Sequence, residues 1–360
     1  MSRVLLVGKG APDRGGIAAF LADLCSGELA RQHEVTFLNV AHQGTPEGGR
    51  ATWGNLSRTV VDAVRVWRAS AGQDVVHINS SLAPTVTALR AGLLALAARL
   101  RGCRVLVHVH GGNLETWLPT TGAATVVRMS TRPAHRVLAV WSTGHRLLAE
   151  VLGAERVQLV DNGVDTVRFR AAEPADRRPR ILYVGLLTPR KGVLDLISAS
   201  AMLQREGVAH ELLLVGGTPD EGPAAAAPVL AAARGSATLL GTRPPEQMPD
   251  VYPEGDVFCL PSWWEAMPLS VLEAMACGLP VVATAVGDVP RLVDDGVTGY
   301  VVPARSPDAL ADALRKLLSD PAQRRRMGAA GRQRVEARFS SDTMARQIGQ
   351  QYSRIQEARA

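Results

Sequence analysis

The sequence predicts an α/β protein made of two doubly wound parallel sheets, each covered by helices on both faces. Three observations carry this. At 360 residues and 46% apolar composition the chain can fill two cores. Short runs rich in Val, Leu and Ile alternate with longer helical patterns along its whole length. The runs are continuously apolar rather than alternating, as strands buried on both faces are. In the first half they are Val4–Val7, Val35–Leu38, Val75–Ile78, Val105–Val109, Val137–Trp141 and Val157–Val160. In the second half they are Ile181–Val184, Leu212–Val215, Thr238–Leu240, Val257–Leu260 and Val281–Ala283. Two such sets imply two Rossmann-like domains facing one another.

Between the sets lies RAAEPADRRPR (Arg170 to Arg180), charged, Pro-containing and without periodicity, which reads as a linker. The expected division is one domain over 1–170, a second over 171–339 and a terminal helix over 340–360. In that last stretch Met344, Ile348, Tyr352 and Ile355 recur at helical spacing, so the helix is expected to dock, with the N-terminal domain as the candidate surface.

Aromatics at 4% point to aliphatic packing. Cys25, Cys103, Cys259 and Cys277 are scattered singly, without metal or CxxC spacing, which favours plain burial and a reducing cytoplasm. The opening MSRVLLV enters a strand at once and carries no secretion signal pattern. Leu82 to Leu100 is strongly apolar, but Arg90 interrupts it and Arg99 sits near its end, so it reads as a buried or interfacial helix of a soluble protein.

The net charge of +6 is unevenly placed: residues 1–170 hold 19 Lys and Arg against 12 Asp and Glu. A basic first half suits an anionic partner, either phospholipid or a phosphorylated acceptor; a solvated basic face is the alternative. Basic helical stretches around Arg58, Arg65, Trp67 and Arg68, and around Arg90, Arg99 and Arg101, suit either an anionic membrane or an ordinary surface helix. No motif or aromatic-basic stripe accompanies the charge, which argues against nucleic acid.

In open α/β sheets ligands bind beyond the carboxyl ends of strands, so the residues after each run are the informative ones. YVGLLTPRKG (Tyr183 to Gly192) turns at Gly185 and places Arg190 and Lys191 at a helix start, a receptor for a diphosphate. Lys191 is one of only three lysines, the others being Lys9 and Lys316, so a compact point charge is wanted there. PSWWEAMPLSVLEAMACGLPVVAT (Pro261 to Thr284) places a helix over about Pro268 to Cys277. Glu265 falls in the loop before it and Glu273 inside it, so the two carboxylates reach different parts of an elongated ligand. Ala266, Met267, Pro268 and Leu269 lie between them as further ligand-binding candidates, and the helix start suits a diphosphate.

Glu265-x7-Glu273 followed by ACGLPVVAT, the RKG of 190–192 and NGVD (Asn162 to Asp165) resemble the retaining glycosyltransferases of family 4. GDVP (287–290) and DGVTGYVVP (295–303) resemble the loops that follow in that family. The resemblance covers most of the second half and the first half more thinly. It implies a GT-B fold, a nucleoside diphosphate sugar as co-substrate, no other cofactor and no metal. It implies that Lys191 and Arg190 meet the diphosphate, that Glu273 holds the ribose and that Glu265 sits by the donor sugar. The base is expected near Leu240 to Arg243. One departure stands out: Leu186 follows Gly185 where family members place an Arg.

GKGAPDRGGIAAF (Gly8 to Phe20) follows the first strand, but Asp13 stands where a dinucleotide fingerprint needs its last Gly. What remains is Gly15-Gly16 at a helix start, either a close backbone approach to a ligand or a structural turn. In VHVHGGN (Val107 to Asn113), His110 ends a strand and resembles the family's histidine that contacts the donor sugar. His108 and His77 read as packed or hydrogen-bonded. Asp294-Asp295 reads as a solvated turn rather than a metal site.

These features point to a retaining, metal-independent hexosyltransferase with Glu265, Lys191, Arg190 and His110 as catalytic candidates. The expected acceptor is a glycan, a lipid-linked molecule or a small molecule, as in cell-surface polysaccharide or glycolipid assembly. The expected place is the cytoplasm, with peripheral contact at the inner membrane face. The competing readings are a nucleotide-sugar epimerase, an inverting GT-B transferase and a non-catalytic nucleotide-sugar-binding subunit.

Overall fold

The computed structural model describes residues 1–11, 16–41, 52–111, 113–171, 177–218 and 223–357. The chain divides into two compact units, Met1–Gly163 with Ser341–Ala360, and Val164–Ser340.

The first unit holds a six-stranded parallel sheet: β1 (Arg3–Gly8), β2 (Glu34–Asn39), β3 (Val75–Ser80), β4 (Arg104–Val109), β5 (Arg136–Ala139) and β6 (Val157–Leu159), in the order β2-β1-β3-β4-β5-β6. The second holds β7 (Arg180–Val184), β8 (Glu211–Val215), β9 (Thr238–Gly241), β10 (Val257–Leu260), β11 (Val281–Thr284) and β12 (Gly299–Val302), in the order β12-β11-β10-β7-β8-β9. Each sheet is doubly wound. The chain runs outward from β1 through β2, then returns to place β3 on the other side of β1. It does the same around β7 with β10. At both reversals neighbouring strands send their following loops in opposite directions, which leaves a crevice beyond their carboxyl ends.

Every apolar run of the sequence reading falls on a strand. The twelfth strand falls where the sequence pattern predicts a loop. Gly299–Val302 sits at the sheet edge with Tyr300 and Val301 half-buried, so it lacks a continuously buried run, yet it pairs with β11 from Val281↔Gly299 to Thr284↔Val302.

Val4, Leu5, Leu6 and Val7 of β1 are wholly buried, as a central parallel strand requires. The helix Ser341–Glu357 belongs to this first core: Met344, Ala345, Ile348, Tyr352 and Ile355 pack among Leu6, Phe20, Leu24, Val75 and Leu106. The Leu82–Leu100 stretch forms the helix Thr85–Leu100, and no described helix is long and apolar enough to cross a membrane.

Candidate functional site

The second sheet's reversal brings together the loops after β7 and β10, and these carry the RKG and Glu265 segments. Gly185 leaves β7 where a Cβ would lie 2.6 Å from the Tyr183 hydroxyl, which is buried and donates to the Leu186 carbonyl at 2.7 Å. The chain then forms a short 3-10 turn over Pro189–Lys191 and ends it at Gly192, with φ at +67°. A Cβ at Gly192 would stand 1.8 Å from the Pro261 carbonyl oxygen, so only glycine lets this turn press against the loop after β10.

That approach carries Lys191 Nζ to 2.6 Å from Glu265 Oε1, and the Ser262 hydroxyl donates to the same oxygen at 2.6 Å. Glu265 is 7% exposed, and these partners compensate the burial of its carboxylate. The backbone N–H of Trp263 donates to the Arg190 carbonyl at 3.0 Å, and Trp263 Nε1 donates to Asp195 at 2.7 Å. A third segment closes from β11. Thr284 Oγ1 donates to the Ser262 carbonyl, Asp288 N donates to the Ala266 carbonyl at 2.8 Å, and Gly287, with φ at +53°, sits where the Glu265 and Ala266 carbonyls leave no room for a Cβ. Ser262, Thr284 and Gly287 were missed by the sequence reading. Ser262 three residues before Glu265, directly after a strand, was the signal available.

The remaining candidates in this unit are more dispersed. Arg190 is exposed, and its guanidinium lies 5.9 Å from the Trp264 ring centroid rather than in the Lys191–Glu265 pair. Leu186 is also exposed. Ala266, Met267 and Pro268 are buried, and Leu269 is half-buried at the start of the helix Leu269–Ala276, which is one residue shorter at each end than the expected span. Its first-turn N–H groups have no side-chain cap and form the positive end of the helix. Glu273, within that helix, accepts a hydrogen bond from the Tyr252 hydroxyl through Oε2. Burial pushes the Glu273 carboxyl up from its ordinary range, against the Tyr252 hydrogen bond and the Arg168 charge. Tyr252 was not singled out from sequence. Arg243 is exposed beyond β9.

The first unit holds a separate polar cluster on β3 and β4 and just after β4. His77 Nδ1 is 2.7 Å from the Tyr352 hydroxyl, and His77 Nε2 is 3.2 Å from His108 Nδ1. His110 Nε2 is 2.9 Å from Asn79 Oδ1. The Asn79 amide nitrogen donates to the Val7 and His77 carbonyls at 3.5 and 3.3 Å, so its oxygen is the end facing His110. His110 therefore carries its proton on Nε2 and presents Nδ1 as an acceptor. Burial pushes His77 and His110 down to about 3, so both are neutral near pH 7. Phe20 packs edge-on against His110 with ring centroids 4.5 Å apart. Gly16 opens the helix Gly16–Ser26; Gly15 lies outside the described residues. Among the described residues no group of three metal-ligating side chains forms, and Asp295 accepts a hydrogen bond from Val301 N within its turn.

Comparison with known proteins matches both halves. The family model described as Glycosyl transferases group 1 matches residues 165–334, and that described as Glycosyltransferase Family 4 matches residues 14–168. A GDP-mannose-dependent alpha-(1-6)-phosphatidylinositol monomannoside mannosyltransferase of Mycobacterium tuberculosis is 31% identical, with 97% of each chain covered. An alpha-maltose-1-phosphate synthase of Mycolicibacterium smegmatis is 33% identical over 64% of this chain and 66% of its own. Among solved structures, sucrose-phosphate synthase from Thermosynechococcus elongatus aligns with a TM-score of 0.79 and 25% identity, over 99% of this chain and 100% of that one. Anabaena HepE, in complex with UDP and glucose, aligns with a TM-score of 0.76 over 98% and 100%; at 19% identity it speaks for the fold alone. The two doubly wound sheets are thus those of the GT-B architecture, and the chain is a glycosyltransferase belonging to family 4.

Proposed function

We propose that this enzyme transfers a hexosyl unit from a nucleoside diphosphate sugar to an acceptor hydroxyl with retention of the anomeric configuration. The observation that carries the reading is the Lys191–Glu265 pair at 2.6 Å, built where the second sheet reverses. As the glycosidic bond breaks, the leaving diphosphate gains charge. Lys191 meets it, with the N–H groups opening the helix Leu269–Ala276 and with Arg190 once it leaves Trp264. These cations take the place a metal would have, so transfer proceeds without one. Glu273 accepts from the ribose hydroxyls, and Glu265 sits by the donor sugar. No side chain is assigned as a covalent nucleophile. The acceptor attacks from the face the diphosphate leaves, and the departing phosphate oxygen takes the acceptor proton. His110, neutral and with Nδ1 as acceptor, holds a sugar hydroxyl and does not act as an acid.

The mannosyltransferase likeness favours GDP-mannose as the first donor to try and a lipid-linked, hydroxyl-rich acceptor, in glycolipid or polysaccharide assembly at the cytoplasmic membrane face. A thermal-shift screen of GDP-, UDP- and ADP-sugars tests donor binding, and no response to any of them overturns the reading. Turnover of the responding donor in excess EDTA, with the product anomer read by NMR, tests metal independence and retention. Exposed Leu186 favours one second reading, a subunit that binds nucleotide sugar without turnover; binding with no product from any acceptor would select it.

A further inference from the structure

The helix Trp53–Ala69 has a buried face of mixed polarity and an exposed apolar face. Thr59, Asp62, Ala63 and Val66 are buried and form the face that packs on the first unit. Trp53, Leu56, Val60, Val64 and Trp67 are all exposed, Trp53 at 87% and Trp67 at 42%. At 3.6 residues per turn these five fall within one arc of about 80°, which borders the buried face. A surface helix normally turns its apolar face to the core and its polar face to solvent; an apolar face left exposed is surplus to folding. The neighbouring helix Thr85–Leu100, packed alongside, likewise exposes Leu89, Leu96 and Leu100, the last 72% exposed. The helix Ala123–Thr131, packed against that one, adds exposed Met129.

The charge on these three helices has one sign outward. Their single carboxylate, Asp62, is 0% exposed and is held by Arg90 at 2.8 Å and Arg65 at 3.2 Å. Arg90, grouped from sequence with the outward basic residues, is thereby turned inward. Arg68, Arg99, Arg101, Arg128 and Arg132 are exposed around the apolar area. The Arg101 guanidinium lies 4.5 Å from the Trp67 ring centroid, so apolar body and cationic tip adjoin.

We infer that this face is a docking surface for an anionic lipid bilayer, with the apolar stripe entering the headgroup boundary and the arginines facing lipid phosphates. Tryptophan beside arginine on an amphipathic helix suits that boundary. Self-association fits poorly, because a two-fold contact would set exposed guanidinium groups against their own copies with no exposed carboxylate on these helices to answer them. The inference deepens the membrane-face placement above but does not depend on sugar transfer.

Sedimentation of the full chain with phosphatidylcholine vesicles, with and without 30% phosphatidylglycerol, tests it in the absence of donor and acceptor. Partition is expected at least tenfold higher on the anionic vesicles, weakened by high salt. Arg68→Glu/Arg101→Glu and, separately, Val60→Ser/Trp67→Ser are each expected to lower it about tenfold with the melting temperature unchanged. Brominated lipid is expected to quench tryptophan emission in the parent chain, less so in Trp53→Phe/Trp67→Phe. No binding to either vesicle, equal binding to both, or a concentration-dependent dimer abolished by Val60→Ser/Trp67→Ser with no vesicle binding would each overturn the inference. Vesicle binding without turnover of any donor would sink the transferase reading and leave this one standing. Turnover on a soluble acceptor without vesicle binding would do the reverse.

Discussion

The Lys191 ammonium reaches the Glu265 carboxylate at 2.6 Å across 74 positions of chain. Both side chains are largely shielded from solvent, so each holds the other's charge in place. Lys191→Ala leaves Glu265 with Ser262 alone and is expected to destabilise the fold by about 3 kcal/mol. Urea denaturation of the two single variants and of Lys191→Ala/Glu265→Ala checks it. The double variant should lose at least about 1 kcal/mol less than the two singles added together; additive losses would show that the pair is uncoupled. Donor turnover by Lys191→Ala should fall about 100-fold.

Tyr252 donates to Glu273 and so opposes the upward push of burial on that carboxyl. Tyr252→Phe removes the opposition and raises the Glu273 pKa further. If the carboxylate is what accepts ribose hydroxyls, donor binding is lost as pH falls through that pKa, and the midpoint of loss moves to higher pH in the variant. Calorimetric titration of the donor across pH 4.5 to 8 reads the midpoint. An unchanged midpoint would remove Glu273 from the binding role.

Leu186 is 41% exposed beside the turn that bears Lys191, so a longer cationic side chain meets no core there. Leu186→Arg is expected to tighten donor binding about fivefold at low salt, less at high salt, with little change in stability. Equal affinity at both salt concentrations would mean that this strand end does not face the diphosphate.

The histidine cluster makes the first unit sensitive to acid. Burial holds His77 and His110 down at about 3 in the folded chain, while an unfolded histidine titrates near 6.5. Below that value the unfolded chain binds the extra protons, so stability is full above about pH 6.5 and falls as pH drops toward 3. Between pH 7 and 5 the loss is about 2 kcal/mol for each. Denaturant midpoints at the two pH values measure it, and His77→Gln should flatten the slope. An unchanged slope would place the sensitivity elsewhere.

How much was legible in the sequence follows from what each feature depends on. Buried parallel strands announce themselves as unbroken apolar runs, so β1 and β10 were plain. Gly299–Val302, a half-buried edge, did not. Lys191 and Glu265 were each visible at strand ends, but their pairing depends on the strand order β10-β7, which no local pattern contains. Tyr252 beside Glu273, and Arg90 folded over Asp62, are likewise tertiary facts. The wholly buried Asp62 shows the difficulty most clearly, because a carboxylate on a helix with exposed arginines reads as surface until its depth is known.

The helix Ser341–Glu357 fills the core of the first unit from the far side of the second in chain order. During synthesis the second unit can therefore close while the first still lacks a wall. Leu6, Val75 and Leu106 remain without Ile348 and Tyr352, and His77 without the Tyr352 hydroxyl, until that helix leaves the ribosome. The unit made first is the one finished last, and a nascent chain stalled near residue 340 should expose an apolar face to chaperones.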